Sequence, residues 1–89
     1  WFLDRDDQAI LAAQQFLARE EGIFCEPASA VSVAGLQSAM EEGRIREGVS
    51  IVCTLTGHGL KDPDTAIAQS PDPVRVAPTV TAVRDAILN

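Results

Sequence analysis

The chain has 89 residues, 46% of them hydrophobic, and its thirteen acids against seven bases give a formal charge of −6. Such a chain makes one small domain at most and buries only about 60–65% of its unfolded surface. The scattered arginines exclude a nucleic-acid interface, which needs a basic patch, and no apolar run approaches the roughly 20 residues of a membrane span.

Trp1-Phe2-Leu3 is the tail of a strand or an apolar connection. Asp4, with Asp7 three residues later, predicts an N-cap with acids in the first helical turn, where the helix dipole favours them. Ile10, Ala13, Phe16 and Leu17 recur at helical spacing as far as Gly22, which suits a left-handed C-terminal cap. Glu26-Pro27 breaks the chain and a second helix starts near Ala28. Its first half, to Leu36, has almost no polar face, whereas residues 37–42 are largely polar, so it should start deep in a protein and emerge at the surface, with Gly43 ending it.

Residues 49–55 form a nearly continuous apolar run, the pattern of a strand covered on both faces. In open α/β sheets ligands sit outside the carboxyl ends of such strands, which is where Thr56 would emerge. Gly57 and Gly59 would let a ligand approach without meeting a Cβ. Asp62-Pro63 predicts a short helix with a capping acid, running to about Gln69. A Ser/Pro loop follows, then a brief edge strand at Val74-Arg75-Val76, and a last helix begins at Pro78-Thr79; residues 70–89 form a peripheral tail.

The order helix, helix, strand, helix, helix points to an α/β fold, yet a single strand cannot make a sheet and the apolar second helix needs cover that this chain barely offers. The expectation is a single segment, 1–89, belonging to something larger. Cys25 and Cys53 lack C-x-x-C spacing and sit in apolar segments, so they are expected as buried, reduced thiols, which suits the cytoplasm. No spacing supports a metal site.

Two patterns, Glu21-Gly22-Ile23-Phe24-Cys25-Glu26-Pro27-Ala28-Ser29-Ala30 and Leu55-Thr56-Gly57-His58-Gly59-Leu60-Lys61-Asp62-Pro63, together resemble the carboxy-terminal end of the threonine synthase family, pyridoxal-phosphate enzymes of the tryptophan-synthase-β-like fold (fold type II). The first pattern also fits relatives such as threonine dehydratases; the second is the more specific. The resemblance implies the carboxy-terminal part of a three-layer αβα domain with helices around a mostly parallel sheet, and pyridoxal 5'-phosphate as cofactor. It makes Thr56 the hydroxyl bonded to the cofactor's pyridine nitrogen, with Gly57, Ser29 and Glu26 as further candidates at the site. A neutral hydroxyl there leaves the ring a moderate electron sink, where a carboxylate would make it a strong one.

The implied reaction converts O-phospho-L-homoserine and water to L-threonine and phosphate. The family's cofactor-bearing lysine and glycine-rich phosphate cradle have no counterpart here, so no catalytic residue is expected in the segment and the chain alone should be inactive. Lys61, the only lysine, matches the Leu-Lys-Asp position and not the cofactor-bearing one. The implied partners are the rest of an enzyme chain, a second protomer and a small-molecule substrate. A serine/threonine dehydratase-like enzyme and a small non-catalytic α/β interaction module are the alternatives. Taken by themselves, His58 is a structural imidazole in a tight turn, Asp62 a helix cap, Glu26 a site-lining or helix-end acid, and Ser29 a ring-edge hydroxyl or a local cap.

Overall fold

The first long helix, α1 (Asp7–Glu21), starts two residues later than the acid pattern suggests: Asp6 is the N-cap and its carboxylate accepts from the Ala9 amide at 2.8 Å. Asp4 is left outside because Arg5 is drawn to the second helix, where its guanidinium donates to Ser38 Oγ at 2.8 Å. At the other end Gly22 takes the expected left-handed conformation, φ +67, and donates its amide to the Leu17 carbonyl. The computed structural model describes residues 2–88; Trp1 of the expected opening strand and the last residue, Asn89, lie outside them.

Helix α2 (Pro27–Glu41) begins with Glu26 as N-cap and proline in its first turn. It packs along α1, and the core between them is thin: Ala13, Leu17, Cys25, Ala30 and Ala34 are buried, with Ala9, Ile10, Val33 and Leu55 packed against them. Small residues let the two backbones approach, so the pairing is close but buries little volume. The expected emergence of α2 at the surface is only partial, since Ser38 and Ala39 in its second half are also buried. Ser38 is held there between Arg5 and the Glu42 carboxylate, to which it donates at 3.1 Å.

A 3₁₀ turn (Gly59–Lys61), absent from the sequence-based elements, is followed by α3 (Pro63–Ala68), with Asp62 capping as expected: Oδ1 accepts the Thr65 amide at 3.2 Å and Oδ2 the Thr65 hydroxyl at 2.7 Å. Helix α4 (Val80–Leu88) starts where expected, with Thr79 Oγ1 accepting the Ala82 amide at 3.2 Å, and it has no buried residue.

Two expectations fail. Among the described residues neither 49–55 nor 74–76 forms a strand, and the mostly parallel sheet is absent. The reason is non-local: a strand exists only through ladder hydrogen bonds to a neighbour, and no second extended segment lies beside either stretch. Residues 49–55 run as an unpaired extended chain along α2, with Val52 90% exposed and Val49 and Ile51 on the surface as well. An open groove of about 470 Å³ separates this stretch from α2, lined by Leu3, Val31, Gly35, Leu36, Ile51 and Val52 among others.

The result is an open molecule. Its radius of gyration is 17.0 Å, against about 12 Å for a compact domain of this length. Its accessible surface is 7124 Å², against roughly 5,000 Å² for a folded monomer of this mass. The excess, about 2,000 Å², is the size of an extensive protein–protein interface. No helix is long and apolar enough to cross a membrane among the described residues.

Candidate functional site

Without a sheet, the position of Thr56 depends on what holds the chain just after the extended stretch. Residues 24–26 and 57–59 run antiparallel and exchange two backbone hydrogen bonds, Glu26 amide to Gly57 carbonyl and Gly59 amide to Phe24 carbonyl, both 3.0 Å, around an isolated bridge between Cys25 and His58. The link 23–25 is itself tied to α1, where the Gln14 side-chain amide donates to the Cys25 carbonyl at 2.8 Å. Gln14 is only 4% exposed, so this bond satisfies two polar groups that burial would otherwise penalise.

The turn is further clamped by side chains. Phe24 and His58 meet edge to face with ring centroids 5.5 Å apart. His58 Nδ1 accepts the Leu60 amide at 3.1 Å, capping the 3₁₀ turn and meeting the expectation of a structural imidazole. Gly59 is required for close approach: a Cβ there would overlap the Phe24 ring. At Gly57 a Cβ would overlap the Glu26 carboxylate, so the backbone of 57 lies flush against that side chain; the space expected at both glycines for a ligand is filled by the chain's own Glu26 and Phe24.

Ser29 is the centre of the arrangement. It lies in the first turn of α2, is 3% exposed, and its Oγ accepts the Thr56 amide at 3.1 Å and the Gly57 amide at 2.8 Å. The Thr56 hydroxyl lies 3.0 Å from the same Oγ. Thr56 itself is exposed. Glu26 does not cap α2 with its carboxylate; that group sits 3.5 Å from Ser29 Oγ and 3.9 Å from Lys61 Nζ. The Lys61 side chain is 65% exposed, so this ion pair contributes little to stability.

The structure therefore brings Glu26, Ser29, Thr56 and Gly57 together, with Lys61 at the margin. Two contributors were not singled out in the sequence. Gln14 carried a signal, a polar side chain on the apolar stripe formed by Ile10, Ala13 and Leu17; Phe24 carried none, because an aromatic in an apolar link resembles any core residue.

Both cysteines are free thiols, Cys25 buried and Cys53 half-buried, a partial departure from the expected burial of both. Burial pushes the Cys25 thiol above its ordinary value; its backbone hydrogen bond opposes the shift and the neighbouring Glu26 charge adds to it. Among the described residues no three His, Cys, Asp or Glu side chains converge as metal ligands would.

A hydroxyl on an exposed residue, held at a backbone turn by Ser29, suits contact with the edge of a flat heteroaromatic ring. Residues 2–57 match the family described as pyridoxal-phosphate dependent enzyme, and the chain belongs to that family. Within it, the chain is similar to the threonine synthases of Mycobacterium bovis, 53% identical over 79 residues, and Methanocaldococcus jannaschii, 57% identical over 70 residues, covering 86% and 79% of this chain. The threonine synthase of Methanosarcina acetivorans is 51% identical over 81 residues, 91% of the chain. The chain spans about a fifth of the length of these relatives, 22%, 17% and 20% respectively. Alignments this long necessarily extend past residue 57 and take in His58 to Asp62.

The residues present fit one part of the family's cofactor, its ring nitrogen, which the Thr56 hydroxyl would meet. Bound there, pyridoxal phosphate would supply an electron sink for carbanion chemistry. The chain's own contribution is to hold that hydroxyl in place through Ser29, Gly57 and the tie from Gln14.

Proposed function

We propose that this chain is the carboxy-terminal segment of a threonine synthase, forming one wall of its pyridoxal-phosphate site, with the complete enzyme converting O-phospho-L-homoserine and water to L-threonine and phosphate in the cytoplasm. Residues 49–55 serve as a strand of that enzyme's mostly parallel sheet, with helices on its faces, and residues 70–89 as its peripheral tail. Thr56 bonds the pyridine nitrogen, and Gly57 admits the Glu26 carboxylate against the turn that carries Thr56. Glu26 and Ser29 lie at the same place but act through the protein: Glu26 flanks Gly57, and Ser29 holds Thr56. The observation that carries the reading is the anchored hydroxyl of Thr56, an exposed residue, in a chain 51–57% identical to threonine synthases. The surface in excess of a compact monomer supports cover by the rest of a larger enzyme, or by a second protomer, over the apolar stretch.

The test is turnover by the complete polypeptide that carries this segment. Threonine and phosphate should form from O-phospho-L-homoserine; ammonia release from threonine without threonine formation would assign the chain to a dehydratase-like enzyme instead. In that polypeptide Thr56→Val, nearly isosteric, should leave the fold intact and lower kcat about tenfold or more, as expected for losing a hydrogen bond of ~1.4 kcal/mol to a bound group. The 89-residue chain mixed with pyridoxal phosphate should leave the absorption of the free cofactor unchanged, and cofactor trapped on Lys61 by borohydride would contradict the reading.

A further inference from the structure

The geometry points to Ser29 as a positioning residue that fixes the direction of the Thr56 hydroxyl, making it a donor outward; this rests on the reading that Thr56 meets the ring nitrogen. A serine hydroxyl has two acceptor lone pairs and one proton. Both lone pairs of Ser29 are taken by N–H groups that can only donate, those of Thr56 at 3.1 Å and Gly57 at 2.8 Å. Ser29 therefore has no acceptor capacity left for the Thr56 hydroxyl, and in the 3.0 Å contact between the two oxygens Ser29 is the donor.

The other acceptor within reach, Glu26 Oε1 at 3.5 Å, lies beyond the 2.5–3.0 Å typical of O–H···O bonds. Thr56 Oγ1 thus accepts from beneath and keeps its own proton, with no other polar partner among the described residues. Thr56 is an exposed residue, and that proton is left to offer to an acceptor. The partner this suits is an aromatic nitrogen carrying a lone pair, and a protonated one would find the donor facing it. Ser29 is buried and reaches this acceptor only through Thr56.

The experiment uses the complete, cofactor-loaded polypeptide with pyridoxal phosphate labelled with 15N in the ring, comparing the wild type with Ser29→Ala, Ser29→Thr, Ser29→Cys and Thr56→Val. The wild-type nitrogen resonance should be that of an unprotonated, hydrogen-bonded pyridine and stay so across neutral pH. Ser29→Thr should preserve it. Ser29→Ala should move it toward the unbonded position and lower kcat about tenfold with KM within about twofold, since only the orientation of a donor is lost. A wild-type resonance at the protonated position, or a Ser29→Ala resonance equal to wild type, would overturn the role of Ser29. Should Ser29→Ala not fold, Ser29→Cys decides in its place, because its thiol fills the space but is a weak donor and acceptor; an unchanged resonance there overturns the proposal equally. If Thr56→Val leaves the resonance unmoved, Thr56 is not at the nitrogen and the underlying reading fails instead.

Discussion

Residues 49–55 and residues 56–62 are adjacent in the chain and equally clear as patterns, yet only the second has a fixed structure of its own. The extended stretch has apolar side chains and no ladder partner among the described residues. The turn after it is bound on three sides by the chain itself: the bridge to residues 24–26, the Ser29 hydroxyl under Thr56 and Gly57, and the Asp62 cap on α3. The turn is thus positioned without a ladder partner for the stretch that leads into it. Composition tells where apolar surface is to be buried, whereas hydrogen-bond capacity tells where a chain can position itself.

The largest way to sharpen this contrast is Val52→Asp. Val52 is 90% exposed here, so in the 89-residue chain the stability should change by no more than about 0.5 kcal/mol. In the complete polypeptide, where a neighbouring strand and helix would cover it, the buried charge should cost several kcal/mol or prevent folding. Denaturant melts of both forms measure the difference, and equal, small effects in both would show that residues 49–55 remain uncovered.

Gly59→Ala comes next. Its Cβ would overlap the Phe24 ring, so the ring must shift, for about 1–3 kcal/mol of lost stability, and the edge-to-face contact with His58 should loosen. Thermal denaturation of the complete polypeptide checks this, and an unchanged melting temperature would show that the turn is not closed on Phe24. Asp62→Ala removes two bonds from the start of α3 and should cost about 1 kcal/mol, read in the same melts.

The smallest effect concerns the two thiols. With its thiol held above the ordinary value, Cys25 should alkylate more slowly than half-buried Cys53 under native conditions at mildly alkaline pH, as mass spectrometry after a short pulse would report. A folded-state value raised above the unfolded one stabilises the protein below the unfolded value of about 9.0, and that contribution is lost as the pH rises through the higher, folded-state value. Equal alkylation rates would show that Cys25 is not buried.

Much of this was legible in the sequence because its causes are local. Gly22 as a left-handed cap, the break at Glu26-Pro27 with a helix starting near Ala28, Asp62-Pro63 as a helix start, and His58 as a turn imidazole each depend on residues within one helical turn. The start of α1 was misplaced because Asp4, Asp6 and Asp7 all have capping chemistry, and the choice among them is made by Arg5 reaching Ser38, 33 residues away. The strands at 49–55 and 74–76 do not form among the described residues for a similar reason, since a parallel ladder partner lies far away along the chain. At the site, Thr56 was visible as a hydroxyl ending an apolar run. The bonds that Ser29 makes, to backbone 27 and 28 residues further on, left no trace in spacing.

The Ser29–Gly57 bond also bears on the order in which the protein folds. It closes a loop of 28 residues, for which the length-dependent entropy is about 3 kcal/mol, a modest barrier that two helices and a turn can meet without distant strands. The α1–α2 pair and the turn at 56–59 would therefore assemble as one unit and present residues 49–55 to their neighbours. Native-state hydrogen exchange in the complete polypeptide would then find the Gly57 and Gly59 amides opening together with the two helices, and separately from the sheet.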